Sequence, residues 1–276
     1  MRSFFFLLFT GFLFNSSSAQ KADPVILAER SFAAHALTHS TKSAFLQYMD
    51  STAVVFARGN ALNAKRFWSR MPESPIKLIW GPAIAGMNEA GDFGFTTGPY
   101  KMKQHLSDTA AVLGFGQYAT VWKKNTAGEW KFLVDLGIEL PALSEQPDNV
   151  QVISLKQKSK QSAAAPDSAI QLDIDFNTRL LAEGKTYWNK VCTEATIFNL
   201  SGHFPIQGAN AVDHFTALLP NNMQLTPSGG QFSADRQSAV TYGITALDEK
   251  KDGYFRFWQA TDRGWKIVLQ VITFGK

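Results

Sequence analysis

Two distant stretches of the chain say nearly the same thing. "FGQYATVWKKNTAGEWKFLVDLG" runs from Phe115 to Gly137 and "DGYFRFWQATDRGWKIVLQV" from Asp252 to Val271. Each places a Tyr, a Trp four residues on, a Gly-containing turn and then Trp-Lys, which is a hairpin signature written twice. The rest of each half follows the same order. Behind Pro24 an apolar stripe of Val25, Ala28, Phe32 and Ala36 has helical spacing, and after Asp167 so do Leu172, Phe176 and Leu180. "TKSAFLQYMD" and "KTYWNKVC" predict short second helices, and "TAVVF" and "ATIF" predict strands. "GNALNAKRFWSRMP" and "GANAVDHFTALLP" each put an Asn (Asn60, Asn210) where a helix N-cap belongs and a Pro (Pro72, Pro220) where the helix must stop. "IKLIWGPAIAG" then aligns with "MQLTPSGGQFS", and "GFTTG" with "AVTYG", setting Pro82 opposite Pro227 and Gly98 opposite Gly243. The chain therefore reads as an internal duplication.

Helices followed by an antiparallel meander imply an α+β class. The expectation is two tandem cone-shaped domains, each with about three helices packed on a strongly curved, mostly antiparallel sheet. Gly81, Gly94 and Gly98 are compatible with such bending. A length of 276 residues lets two domains each bury a core. Residues 1–19 read as a secretory signal peptide, with Arg2 before an apolar run from Phe4 to Phe14 and Ser17-Ser18-Ala19 at the cleavage site. That predicts an exported protein, periplasmic or extracellular. The run is shorter than the ~20 residues of a membrane-spanning helix, so no integral membrane segment is expected. The first domain is assigned to 20–143 and the second to 169–276. Between them, at 144–168, apolar periodicity stops in a linker, whose "NVQVISL" portion has the composition of a short edge strand.

A net charge of +4 from 27 basic and 23 acidic residues is mild and dispersed, which argues against nucleic acid as a partner. The densest basic stretch, "SLKQKSKQS" at 154–162, reads as solvated linker. Cys192 is the only cysteine, so no intramolecular disulfide forms and the cores must carry stability. Cys192 itself reads as a small buried hydrophobe.

Three runs, "GDFGFTTGPY" (91–100), "YATVWKK" (118–124) and "GEWKFLVDLG" (128–137), resemble the exported domains of the nuclear transport factor 2-like superfamily, which includes SnoaL-like and ketosteroid-isomerase-like proteins. The resemblance covers residues 24–140. The second half keeps the order and the pair Trp258 and Trp265, but has Gln270 where the first has Asp135 and a shorter strand connection, so it is similar as a degenerate repeat. The resemblance implies a conical cavity that serves isomerisation, cyclisation, dehydration, ligand holding or protein association in different members. It also implies pairing of cones through their sheets.

His35 and His39 lie four apart on the first helix, either as a base and its partner facing one cavity or as interfacial or core histidines. Asp135, among Leu133, Val134 and Leu136, is a candidate base if it faces a cavity. Strict alternation, however, puts it on the face of Lys131, away from the core, at an interface between domains or subunits. In the repeat, Arg179 and Glu183 stand where His35 and His39 do, either as ligand contacts or as an intrahelical ion pair. Trp80, Tyr100 and His105 are further ligand-binding candidates, the last two in a long connection that is either a lid or a β-extension. The remaining tryptophans read first as packing residues.

The chain has no Gly-rich phosphate loop, no nucleophile elbow and no clustered Cys/His set, so neither cofactor nor metal is expected. The reading that follows is a protein that binds a small apolar molecule or assembles through its sheets, within one chain or as a homodimer. The alternative is a cofactor-independent isomerase, cyclase or hydratase using general acid/base catalysis in the first cavity. The sequence leaves open whether it is an enzyme.

Overall fold

The computed structural model describes residues 19–107, 109–155 and 164–275. The expected signal peptide, apart from Ala19, and the basic stretch, apart from Ser154 and Leu155, lie outside the described residues.

The first half opens with α1 (Ala19–Thr38), which begins five residues before the expected start and carries Pro24 inside it. Next come α2 (Thr41–Tyr48), β1 (Met49–Ala57), β2 (Asn60–Asn63) and α3 (Ala64–Arg70). Asn60 is not the helix cap that the sequence predicts. It pairs with Ala57 at the start of β2, and Asn63 caps α3 instead, its side chain accepting from the Arg66 amide at 3.0 Å. The strands β3 (Lys77–Trp80), β4 (Ile84–Asn88), β5 (Phe93–Lys103), β6 (Val112–Lys124), β7 (Trp130–Glu139) and β8 (Gln151–Leu155) complete a sheet of order β2-β1-β7-β6-β5-β4-β8, with β3 on β5. Pairing is antiparallel except at β1–β7 and β4–β8. The expected edge strand thus joins the first sheet. The long connection after Tyr100 is a β-extension, since β5 and β6 stay paired out to Lys103 and Val112.

The second half repeats this plan with α4 (Ala169–Glu183), a 3-10 turn (Gly184–Tyr187), α5 (Trp188–Val191), β9 (Ile197–Leu200) and α6 (Ala211–Leu218). Its sheet, β10 (Gln224–Phe232), β11 (Ser238–Leu247), β12 (Lys250–Thr261) and β13 (Gly264–Ile272), has the order β10-β11-β12-β13-β9. The architecture is α+β with two curved sheets, each backed by its own helices.

The strand registers of the two sheets correspond at several positions. Thr96 pairs with Thr120 and Thr120 with Asp135; Thr241 pairs with Arg256 and Arg256 with Gln270. Likewise Gly98, Tyr118 and Gly137 line up across one sheet, and Gly243, Tyr254 and Ile272 across the other. A bulge interrupts the last pair of strands in both halves, leaving Leu133 and Val268 without a direct partner. An extra residue shifts the two-residue alternation by one, so the strand presents opposite parities on either side of it.

Each domain has a core between its helices and its sheet, built on Phe32, Phe45, Trp122 and Phe132 in the first and on Phe176, Trp188, Phe215 and Trp258 in the second. A third core belongs to both. Phe95, Val121 and Leu136 from the outer face of one sheet pack with Val240, Phe257 and Leu269 from the other. Phe257 lies with ring centroids 5.5 and 5.1 Å from Phe93 and Phe95. Gly253 admits the ring of Phe56 so closely that a Cβ there would come within 2.3 Å of it. Asn199 Nδ2 donates to Thr97 Oγ1 at 2.8 Å across the seam, and the Gly202 amide donates to the Glu139 carbonyl at 2.9 Å. Among the described residues no helix is long and apolar enough to cross a membrane.

Candidate functional site

Helix α1 lays one stripe, Val25, Glu29, Phe32 and Ala36, into the first sheet, and all four residues are buried. A carboxylic acid in such a stripe is costly unless its oxygens find donors. Glu29 finds them on three strands: Trp80 Nε1 donates to Oε1 at 2.5 Å, Trp122 Nε1 to Oε2 at 3.0 Å, and the Thr96 hydroxyl also to Oε2. Burial raises its pKa, and these hydrogen bonds pull the other way.

Beside this knot lies a cavity of about 150 Å³. Phe32 and Phe45 form its helical wall, Leu78 and Trp80 come from β3, Tyr100 from β5, Tyr118 from β6, and Asp135 and Gly137 from β7. Asp135 accepts from the Thr120 hydroxyl at 2.8 Å. Its pKa is pushed up to about 7, chiefly by burial, with the Thr120 hydrogen bond opposing the rise and the nearby Glu29 carboxyl adding to it. Alternation counted from Lys131 fails here because the Leu133 bulge intervenes: Asp135 shares the inner face with Phe132, and Val134 and Leu136 face the other domain. The same holds in the repeat, where Ile267 packs inward while Leu269 and Val271 join the shared core.

The Tyr118 hydroxyl is buried at the cavity with no hydrogen-bond partner among the described residues. Its pKa rises well above the ordinary value, first from burial and then from the charge of Glu29. Gly137 keeps the wall open beside Tyr100, whose Cε1 would lie 3.3 Å from any Cβ added there.

The second domain has the same groups closed on themselves. Asp173, one helical turn before Phe176 as Glu29 is before Phe32, is fully buried and paired with Arg256 Nη1. Arg256 Nε donates to Gln270 Oε1 at 2.7 Å, and Tyr254 Oη donates to Asp173 Oδ2 at 2.5 Å. The guanidinium carbon sits 4.1, 4.7 and 5.7 Å from the ring centroids of Phe176, Tyr254 and Trp188. Thus Arg256 and Ile272 occupy the positions where the first domain has Thr120 and Gly137.

Of the residues singled out from sequence, Asp135, Trp80 and Tyr100 come together at the cavity. His35 and His39 do not line it. They stack with ring centroids 4.1 Å apart, His35 Nε2 lies 2.9 Å from Ser43 Oγ, and burial followed by the charge of His39 lowers the His35 pKa. His105 is exposed in the connection between β5 and β6, its Nδ1 3.0 Å from Ser107 Oγ. Arg179 and Glu183 form an ion pair at 3.5 Å along α4, and Glu183 also takes Lys190 at 2.5 Å. Glu29, Tyr118 and Thr120 were not singled out. A charged residue in the apolar stripe of α1 is the signal that finds the first of them. Among the described residues no three His, Cys, Asp or Glu side chains come together to hold a metal ion.

No protein-family model matches the chain, and no curated protein matches it in sequence. Similar solved structures include the association domain of C. elegans CaMKII, at 14% identity over 44% of this chain and 97% of that one, with a TM-score of 0.34. An ntf2-like protein with a cystatin-like fold from Novosphingobium aromaticivorans is 9% identical over 42% of this chain and 79% of that one, with a TM-score of 0.30. A candidate ketosteroid isomerase from Kribbella flavida is 17% identical over 40% and 81%, again with a TM-score of 0.30. Each likeness spans less than half of this chain, and the functional reading below rests on the cavity's own residues.

Proposed function

We propose that the chain is an exported ligand-binding protein, with a leader at 1–19 and domains at 20–143 and 169–276. The first domain holds one small molecule in its cavity. The second, whose interior is filled, is the permanent partner of the first sheet and lets the chain act as a monomer. The observation that carries this is the contrast at equivalent positions: Arg256 and Ile272 are buried in one interior, with Arg256 bonded to Asp173, where the other has Thr120 and the cavity-lining Gly137. A cavity of about 150 Å³ suits a benzene-sized molecule. Trp80 and Tyr100 supply ring faces to it, and Asp135 and the unpartnered Tyr118 hydroxyl supply polar anchors. His35, His39, His105, Arg179 and Glu183 take no part in this reading.

The test is ligand-observed NMR with benzene-sized neutral and charged fragments against the wild type and Gly137→Ile, which places in the first domain the side chain the second already has. The reading requires fragments whose saturation transfer is present with the wild type and lost with the variant. A set in which no fragment distinguishes the two proteins overturns it.

A second reading is favoured by one observation, the rise of the Asp135 pKa to about 7, where a carboxyl both gives and takes a proton near neutral pH. In that reading the cavity performs cofactor-independent acid/base chemistry as an isomerase, cyclase or hydratase. It requires Asp135-dependent exchange of carbon-bound protons for deuterium in a bound fragment in D2O, and absence of such exchange leaves ligand holding alone.

A further inference from the structure

We infer that the ligand of the first cavity is a small organic cation, a guanidinium or amine on a short hydrocarbon stem, seated where the second domain places the side chain of Arg256. This inference rests on the reading of the cavity as a binding site.

One difference between the two interiors is a built-in cation. In the second, a guanidinium lies against Phe176, Tyr254 and Trp188 and closes on Asp173. In the first, the cage is present without it. Phe32 stands where Phe176 does and Tyr118 where Tyr254 does. Phe45 meets Phe32 edge-to-face at 4.9 Å, as Trp188 meets Phe176 at 4.8 Å. All three rings line the cavity. Aromatic faces around a carboxylate make a recognised environment for a desolvated cation.

The charge balance points the same way. The second interior sets Arg256 against Asp173. The first holds two carboxyls, Glu29 and Asp135, whose hydrogen-bond partners are indoles and hydroxyls, none of them charged. Neither acid has a cationic partner of its own, and a cation between aromatic walls supplies one. Tyr118 adds an independent sign. Its counterpart Tyr254 donates to Asp173, whereas the Tyr118 hydroxyl is buried at the cavity with no partner. Its oxygen is an acceptor for an N–H of a bound guanidinium or ammonium group. A neutral apolar guest would use the rings and leave the Tyr118 hydroxyl unanswered.

The experiment is isothermal titration calorimetry of the whole mature protein with n-propylguanidinium chloride and with n-propylurea, its uncharged isostere. The cation is expected to bind at one site per chain, about tenfold or more tighter than the urea. Asp135→Asn is expected to lower the cation's affinity about tenfold and the urea's by clearly less. Thr120→Arg, which brings the cation in on the chain, is expected to abolish binding of both. If either variant fails to fold, the wild-type comparison still decides. Equal affinities for the two compounds, or a cation preference that survives Asp135→Asn, overturn the cation assignment and leave the cavity a binding site. Binding of neutral fragments sensitive to Gly137→Ile, with none of the guanidinium, does the same. No binding of any probe overturns both readings.

Discussion

Thr120 and Arg256 stand at one and the same register position in the two sheets, each facing a threonine on one neighbouring strand and a polar partner, Asp135 or Gln270, on the other. The first sheet has a short hydroxyl at that position, bonded to Asp135, and the second a long guanidinium, bonded to Asp173. Its companion is Gly137 against Ile272.

Arg256→Met leaves Asp173 buried with its charge unanswered. A loss of about 3–5 kcal/mol in urea unfolding is expected, with part of it recovered when Asp173→Asn is added. A loss below about 1 kcal/mol would show that the pair is solvated, as exposed ion pairs are.

The Asp135 carboxyl titrates near 7 in the folded chain against an ordinary value of 3.8. Between these values the folded state keeps a proton that the unfolded state has lost, so this group's contribution is fully present below about pH 4 and is lost as pH rises through about 7. Glu29, raised as well, acts in the same direction. The urea midpoint of the wild type should therefore fall more between pH 5 and pH 8 than that of Asp135→Asn. Equal falls would show that Asp135 is freely solvated.

Glu29→Leu removes the acceptor of Trp80 Nε1, Trp122 Nε1 and the Thr96 hydroxyl. Each donor left unpaired costs about 1–3 kcal/mol, so stability should drop more than for a surface substitution on the same helix. The near-UV circular dichroism of the indoles should change with it. A neutral outcome in both measurements would mean that the knot around Glu29 does not hold the cavity wall.

Phe257→Ala empties the centre of the core shared by the sheets. The expected cost is about 3–5 kcal/mol, and calorimetry should show two transitions where the wild type gives one, because the halves lose their strongest coupling. A single transition at a lower temperature would show that the remaining seam still unfolds as one unit.

The α+β class with two curved sheets is legible in the sequence through residues with strict geometric demands. The tryptophan pairs and Gly98 against Gly243 fix an alignment that the strand register then reproduces. What escaped was parity. A bulge has no residue signature, and Leu133 reads as an ordinary strand residue, yet it turns Asp135 from the seam into the cavity. Glu29 escaped for a different reason. The stripe drawn through Val25, Ala28, Phe32 and Ala36 takes an alanine as its second member, whereas the buried member one residue later is the glutamate. Buried acids in apolar stripes are rare, and that rarity is why the position informs. His35 and His39 have the spacing of a site, but spacing on a helix says which residues share a face and not which face meets the cavity.

The core shared by the two sheets joins halves that are written separately in the chain. When a two-fold pair forms from identical copies, every substitution appears twice, and a side chain that plugs one interior plugs the other. Here a change at position 256 is not copied at position 120. Each half is therefore free to change its interior alone, and the two stay paired at a stoichiometry that dilution cannot disturb.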